Sequence, residues 1–238
     1  MSWTDKSAVR TILLLKKEFN SKEFIETGTF KGVNMRLYCE YFDRVYTCEA
    51  NEEYYDHVLR SLPVNARLFH AHSPSFLKQC TQAKIQSDKV TDSIPIFYLD
   101  AHFYDPSLPP EKKFVVVEEL QAMEGYKDCI IVIHDFKCQG LGHIVYDGIP
   151  LDFNLVKEAL NKVNPNFRYY TNAIEYCNII TPEEVEEGKV PGVYDTEEVR
   201  DNLRYVWSSP EKTYRGILYA VPRNLDLSKY QLKPLEEK

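Results

Sequence analysis

Four side chains capable of acid, base or metal chemistry stand in two short stretches. Asp100 and His102 lie in Leu99-Asp100-Ala101-His102-Phe103-Tyr104, and His134 and Asp135 follow Cys129-Ile130-Ile131-Val132-Ile133. Each pair comes directly after an unbroken apolar run, the pattern of a strand buried on both faces. Side chains at the C-terminal ends of such strands line the ligand crevice of an open α/β sheet. Two carboxylates and two imidazoles gathered there are the makings of a metal site or of an acid-base pair. No thiolate or helical His pair lies in register for zinc, so the oxygen-rich set favours Mg²⁺ or Mn²⁺.

The second stretch with chemical content is Phe24-Ile25-Glu26-Thr27-Gly28-Thr29-Phe30-Lys31-Gly32, a buried strand ending in an acid, then a glycine turn, then a helix start. Glycine at such a turn lets the backbone pass close beneath a ligand. A dinucleotide fingerprint needs a third glycine to seat its pyrophosphate on the helix N-terminus, and only Gly28 and Gly32 are present. Glu26 would repel a phosphate and attract an ammonium group. S-adenosylmethionine (SAM) carries an ammonium group and no phosphate. Glu49 closes a second strand 23 residues after Glu26, near the interval at which an acid meets ribose hydroxyls in nucleoside-binding folds.

These residues must be positioned by alternating strands and helices. A leading helix is expected over Ser7 to Phe19, and strands at Arg44 to Glu49, Ala66 to Ala71, Pro95 to Leu99, Cys129 to Ile133, Phe167 to Thr171 and Arg215 to Val221. Helices are expected at Asn34 to Phe42, Glu52 to Leu62, from Phe76, at Val115 to Met123 and at Leu151 to Val163. Ser73 either caps the helix after the third strand or lies beside an adenine. The segment Gln139 to Asp152 reads as a glycine-bearing loop, Thr181 to Pro210 as an acidic insertion, and the tail from Pro222 as polar and prone to fray.

At 238 residues, one elaborated α/β domain is expected against roughly 100–200 residues per domain. The net charge of -7, from 29 basic and 36 acidic residues, gives no attraction to a polyanion, so nucleic acid is not expected as a partner. Six cysteines without a Cys-x-x-Cys pair read as reduced thiols of a cytoplasmic protein. No signal region or 18-residue apolar run is present, so the chain is expected to be soluble and to have no membrane partner.

With these stretches in place, residues 8 to 221 resemble the class I SAM-dependent methyltransferases. Ile25-Glu26-Thr27-Gly28-Thr29-Phe30-Lys31-Gly32 is similar to the Glu-Thr-Gly-x-x-x-Gly opening of the macrocin-type sugar O-methyltransferases. That branch also carries an Asp-x-Asp strand end followed by an aromatic pair, matched here by Asp100, His102 and Phe103-Tyr104, and an Asp-Asp pair one strand later, matched by His134-Asp135. The resemblance implies a Rossmann-like sheet of seven strands, mostly parallel, with helices on both faces and an antiparallel last strand. It implies SAM held by Glu26, Thr27, Gly28, Thr29, Phe30, Gly32, Glu49, Ala50, Ser73 and Asp100. It further implies a divalent metal on Asp100 and Asp135, with His134 in the place of a metal-binding aspartate.

His102 stands where the branch places its catalytic aspartate. An imidazole of ordinary pKa near ~6.5 is a competent base at neutral pH, so His102 is the expected base, with Asp100 beside it. The expected activity is methyl transfer to a hydroxyl of a sugar, glycoside or glycan. Rival readings are a phenolic acceptor, a metal-dependent hydrolase or nucleotide-sugar enzyme built on the same four residues, and a degenerate methyltransferase fold used for docking.

Overall fold

The computed structural model describes residues 6–86, 93–102, 107, 113–173, 215–222, 227 and 232–235. The acidic insertion, Phe103-Tyr104 and most of the loop after them lie outside these residues, as does Cys177. The elements are α1 (Lys6–Glu18), β1 (Glu23–Thr27), α2 (Val33–Cys39), β2 (Arg44–Glu49), α3 (Glu52–Leu59), β3 (Ala66–His70), α4 (Ser73–Gln86) and β4 (Ile96–Leu99). They continue with α5 (Val115–Ala122), β5 (Ile130–Ile133), β6 (Val145–Tyr146), β7 (Ile149–Pro150), α6 (Phe153–Val163), β8 (Arg168–Thr171), β9 (Leu218–Val221) and β10 (Lys233–Pro234).

The main sheet runs β10-β8-β9-β5-β4-β1-β2-β3. Strands β1 to β5 pair in parallel, and β9 inserts antiparallel between β5 and β8. This is the Rossmann-like, mostly parallel sheet that the resemblance implies, with the late strand β9 antiparallel to its neighbours. Among the described residues this sheet has eight strands instead of seven, because Lys233-Pro234 of the polar tail pairs with β8. A segment expected to fray is held there by backbone pairing and by Leu232, 4% exposed. The segment read as a plain loop also differs: β6 and β7 form a separate two-stranded ribbon within it.

Alternation along the strands assigns each residue to one of two cores. Phe24, Ile96, Tyr98, Ile130, Val132 and Tyr219 face α1, α2 and α3. Ile25, Phe97, Leu99, Ile131, Ile133 and Leu218 face α4, α5 and α6. Both faces of the central strands are therefore dry, which is why their sequences read as continuous apolar runs rather than alternating ones. Helix α6 shows the matching stripe, burying Val156, Ala159, Leu160 and Val163, and Asp152 caps it by accepting from Leu155 N. Truncating Leu160 to alanine costs about 2–5 kcal/mol. Among the described residues no helix is long and apolar enough to cross a membrane.

The order of strands fixes where a ligand can enter. From β1 the chain winds outward through β2 and β3, and then returns to lay β4 and β5 on the other side of β1. The winding direction changes between β1 and β4, and the crevice at their C-terminal ends is the binding place of open α/β sheets. Glu26, Gly28, Asp100 and His102 all belong to that crevice.

Candidate functional site

The β1 side of the crevice is built by the glycine turn. Gly28 has φ 78°, and a Cβ there would meet Asp100 O at 2.9 Å and Ala101 Cα at 3.0 Å. The glycine is thus required by the end of β4 pressing on the turn, a different reason from the ligand approach expected. Gly28 N and Thr29 N both donate to Cys48 O, at 3.1 and 3.0 Å, and Glu49 accepts from Phe30 N at 2.7 Å and Asn51 N at 2.9 Å. Glu49 therefore ties the turn to β2, and each of its oxygens keeps a lone pair for a further donor. Ala50 lies exposed beside it, with its carbonyl 3.2 Å from His70 Nε2. Gly32, in the left-handed region at the start of α2, is surrounded by Arg36, Met35 and Val58, so its place is in the helix start.

Glu26 is 1% exposed. It accepts from Thr47 Oγ1 at 2.9 Å, and no cationic side chain among the described residues pairs with it. Burial holds its carboxyl well above the usual range; the Thr47 hydrogen bond opposes this, while the nearby charges of Asp100 and Glu49 add to it.

A second buried acid on this side was missed in the sequence. Glu119 of α5 is fully buried, and neither carboxyl oxygen makes a hydrogen bond. Burial raises it to about 7, against the opposing influence of the Ser73 and Thr27 side chains and the His102 charge. Thr27 Oγ1 accepts from Asp100 N at 3.2 Å. Ser73 sits in the first turn of α4 with its side chain buried. The signal for Glu119 was available: it occupies the apolar stripe Val116, Glu119, Leu120, Met123, where an acid has no solvated place.

The β4 and β5 side brings the other four residues together. Asp100, His102, His134 and Asp135 each offer a ligand atom within 4.8 Å of the others. His102 Nε2 lies 3.0 Å from Asp100 Oδ1 and 2.8 Å from Asp135 Oδ2, bridging the two carboxylates. His134 Nδ1 stands 3.2 Å from Asp100 Oδ1 and 3.6 Å from Asp135 Oδ1, yet neither of its ring nitrogens is aligned for a hydrogen bond. Arg215, just before β9, places its guanidinium on Asp135 Oδ1. No signal in the sequence connects Arg215 to this site, since 80 residues separate it from Asp135.

The charges here support one another. Burial pulls the His102 imidazolium down, but hydrogen bonds to Asp100 and Asp135 and their charges outweigh it and raise its pKa to about 9. Nothing in the local sequence around His102 departs from the ordinary imidazole setting; the two facing carboxylates, which follow β4 and β5, do. His134 is raised well above its usual value by Asp100 and then Asp135, again against burial. Asp100 and Asp135 are lowered by the two imidazoles despite burial.

Two carboxylates, two imidazoles and the orphaned nitrogens of His134 form a donor set that fits a divalent cation. Binding one requires the histidine protons to leave. The buried Glu26 carboxyl at the change of winding direction fits a cationic cofactor in the same way, by its want of a positive partner.

No family model matches the chain, and no curated protein does. Solved structures do resemble it. A SAM-dependent methyltransferase from Archaeoglobus fulgidus matches over 90% of this chain and 92% of its own, at 14% identity and TM-score 0.45. An O-methyltransferase from Bacillus cereus in complex with S-adenosylhomocysteine (SAH) matches over 93% and 83%, at 13% identity and TM-score 0.42. Spermidine synthase from Thermotoga maritima matches over 83% and 70%, at 16% identity and TM-score 0.42. These likenesses concern the fold, and their range of activities leaves the function to be argued from this site.

Proposed function

We propose that this chain transfers the methyl group of SAM to a hydroxyl of a sugar, glycoside or glycan. The observation that carries the reading is Glu26, a carboxyl buried at the sheet's ligand crevice with no cationic partner among the described residues. A ligand that brings its own ammonium group completes the ion pair. Beside it the turn residues Thr27 to Phe30, with Glu49 and Ala50, offer backbone and carboxylate partners to a nucleoside, and Ser73 borders the adenine side. Gly28 and Gly32 shape the turn.

SAM supplies an activated methyl group, so the protein's part is positioning and proton removal. His102 faces the acceptor side and is the base. It begins protonated, because Asp100 and Asp135 hold its proton at neutral pH. Its base form is reached at alkaline pH, or when a positive charge enters the crevice and lowers its pKa. Asp100, directly after β4 and beside the glycine turn, orients His102 through their hydrogen bond. Asp100, His134 and Asp135 would hold a divalent cation, whose chemistry there would be to polarise the acceptor hydroxyl.

Conversion of SAM to SAH in the presence of matched sugars, glycosides and phenols tests the proposal. Turnover with glycosides is the expected result, and turnover with phenols alone moves the acceptor class. Binding of a nucleotide without binding of SAM would hand the four-residue cluster to a hydrolase or nucleotide-sugar reaction.

A further inference from the structure

Lys113 stands two residues before α5, with its side chain 5% exposed. An ammonium group tolerates that burial only when an anion meets it. It pairs with Asp147, which lies in the turn between β6 and β7. Asp147 and Gly148 have φ of 50° and 81°, the paired left-handed residues of an Asp-Gly hairpin turn. The carboxylate is therefore presented by a tight turn on the outside of the protein, and it is 44% exposed.

The wall that holds Lys113 belongs to the acceptor side. Lys113, His102, His134, Phe114 and Tyr146 line one pocket, and the Tyr146 ring lies 4.9 Å from that of Phe114, so the ribbon closes over it. Strands β6 and β7 have two residues each and, among the described residues, pair with each other alone, and a ribbon that small has little stability of its own. Asp100 and Asp135 in the same neighbourhood are engaged by His102, His134 and Arg215.

We propose that Lys113 anchors an anionic group on the acceptor, a carboxylate or phosphate carried by the sugar, and that Asp147 stands in for that group until the acceptor displaces it. The inference rests on reading this side of the crevice as the acceptor pocket. Exchanging one anion for another leaves the buried ammonium paired throughout, and it frees the ribbon to move with Asp147. A neutral glycoside offers no such exchange and leaves the ribbon latched. The latch thus selects acidic acceptors over neutral ones of the same shape.

The test is calorimetric titration of the full chain saturated with SAH, using methyl β-glucuronide, glucose 6-phosphate and methyl β-glucoside as probes. The expected result is anionic probes binding at least ~10-fold tighter than the neutral one. Asp147→Asn, which removes the competing carboxylate, tightens anion binding further, and Lys113→Gln abolishes the preference. The glucuronide and phosphate arms separate the two anion chemistries. An Asp147→Asn protein that binds SAH normally yet shows no preference for either anionic probe overturns the proposal. Failure of SAH to bind removes the methyl-transfer reading instead, and the same titrations without SAH still decide the role of Lys113.

Discussion

The two sides of the crevice hold their acids in opposite states. On the β4 and β5 side, Asp100 and Asp135 are surrounded by His102, His134 and Arg215 and are kept ionised. On the β1 side, no cationic side chain among the described residues pairs with Glu26 or Glu119, and burial raises both carboxyls, Glu119 to about 7. The first side is complete in itself, charge against charge. The second lacks a cation. A protein that buries two uncompensated carboxyls gives up stability to do so, and a cationic ligand at the crevice recovers part of it. On the proposed reading, the contrast separates a cofactor side that waits for positive charge from an acceptor side that manages a proton.

The most damaging change to this arrangement is at His102. Replacing it with alanine should lower turnover by roughly 10²–10⁴-fold, the usual contribution of a positioned acid or base, and leave SAM affinity near that of the unaltered protein. Single-turnover kinetics with calorimetry separates the two readouts. Loss of SAM binding with turnover of bound cofactor intact would take His102 out of the base role.

On the other side, Glu26→Gln keeps the shape and the Thr47 contact but cannot pair with an ammonium group. SAM and SAH affinity should fall by roughly 10–100-fold, as for a lost charge-assisted hydrogen bond. An unchanged dissociation constant would erase the distinction between the two sides. Glu49→Ala should weaken binding less, because Glu49 also spends its oxygens on Phe30 N and Asn51 N.

The pH profile sharpens the comparison. The ascending limb of kcat/KM reports the free protein's base, and should level off only above the His102 value of about 9. Asp135→Asn removes one of the two carboxylates that hold the proton, so the limb should move to lower pH. A limb that stays in place would show that another group titrates.

Stability should fall with rising pH on both sides of the crevice, over different pH ranges. The His102 pKa is raised, so the stability from its pairing is full below the ordinary imidazole range and is lost as pH rises through about 9. Glu119 is also raised, but as an acid buried neutral: its burial turns against the fold as pH climbs from the ordinary carboxyl range through about 7. Glu119→Gln should therefore stabilise the protein above neutral pH by up to ~3 kcal/mol and do little near pH 5. Urea unfolding at the two pH values measures the difference, and equal effects would contradict the assigned state of Glu119.

Much of this was legible in the sequence because each clue was local. The apolar runs before Asp100 and His134 announced central strands, and Glu26-Thr27-Gly28 announced the first turn. What remained hidden depends on contacts between distant segments. Arg215 reaches Asp135 across the insertion, Lys113 reaches Asp147 across α5 and β5, and the raised pKa of His102 needs two carboxylates from different strands. The ribbon β6-β7 was missed because two-residue strands leave no periodicity to read. Its Asp147-Gly148 pair was the available sign. Glu119 was the legible residue left unread.

Calorimetric titration with SAH, repeated in buffers of different ionisation enthalpy and with and without Mg²⁺ or Mn²⁺, bears most directly on the central claim. SAH carries the ammonium group that Glu26 lacks, and pairing with it ionises the carboxyl. The account predicts micromolar binding accompanied by proton release, by linkage between binding and ionisation, and loss of that release in Glu26→Gln. Absence of binding under every metal condition, or binding with no proton released, would contradict it.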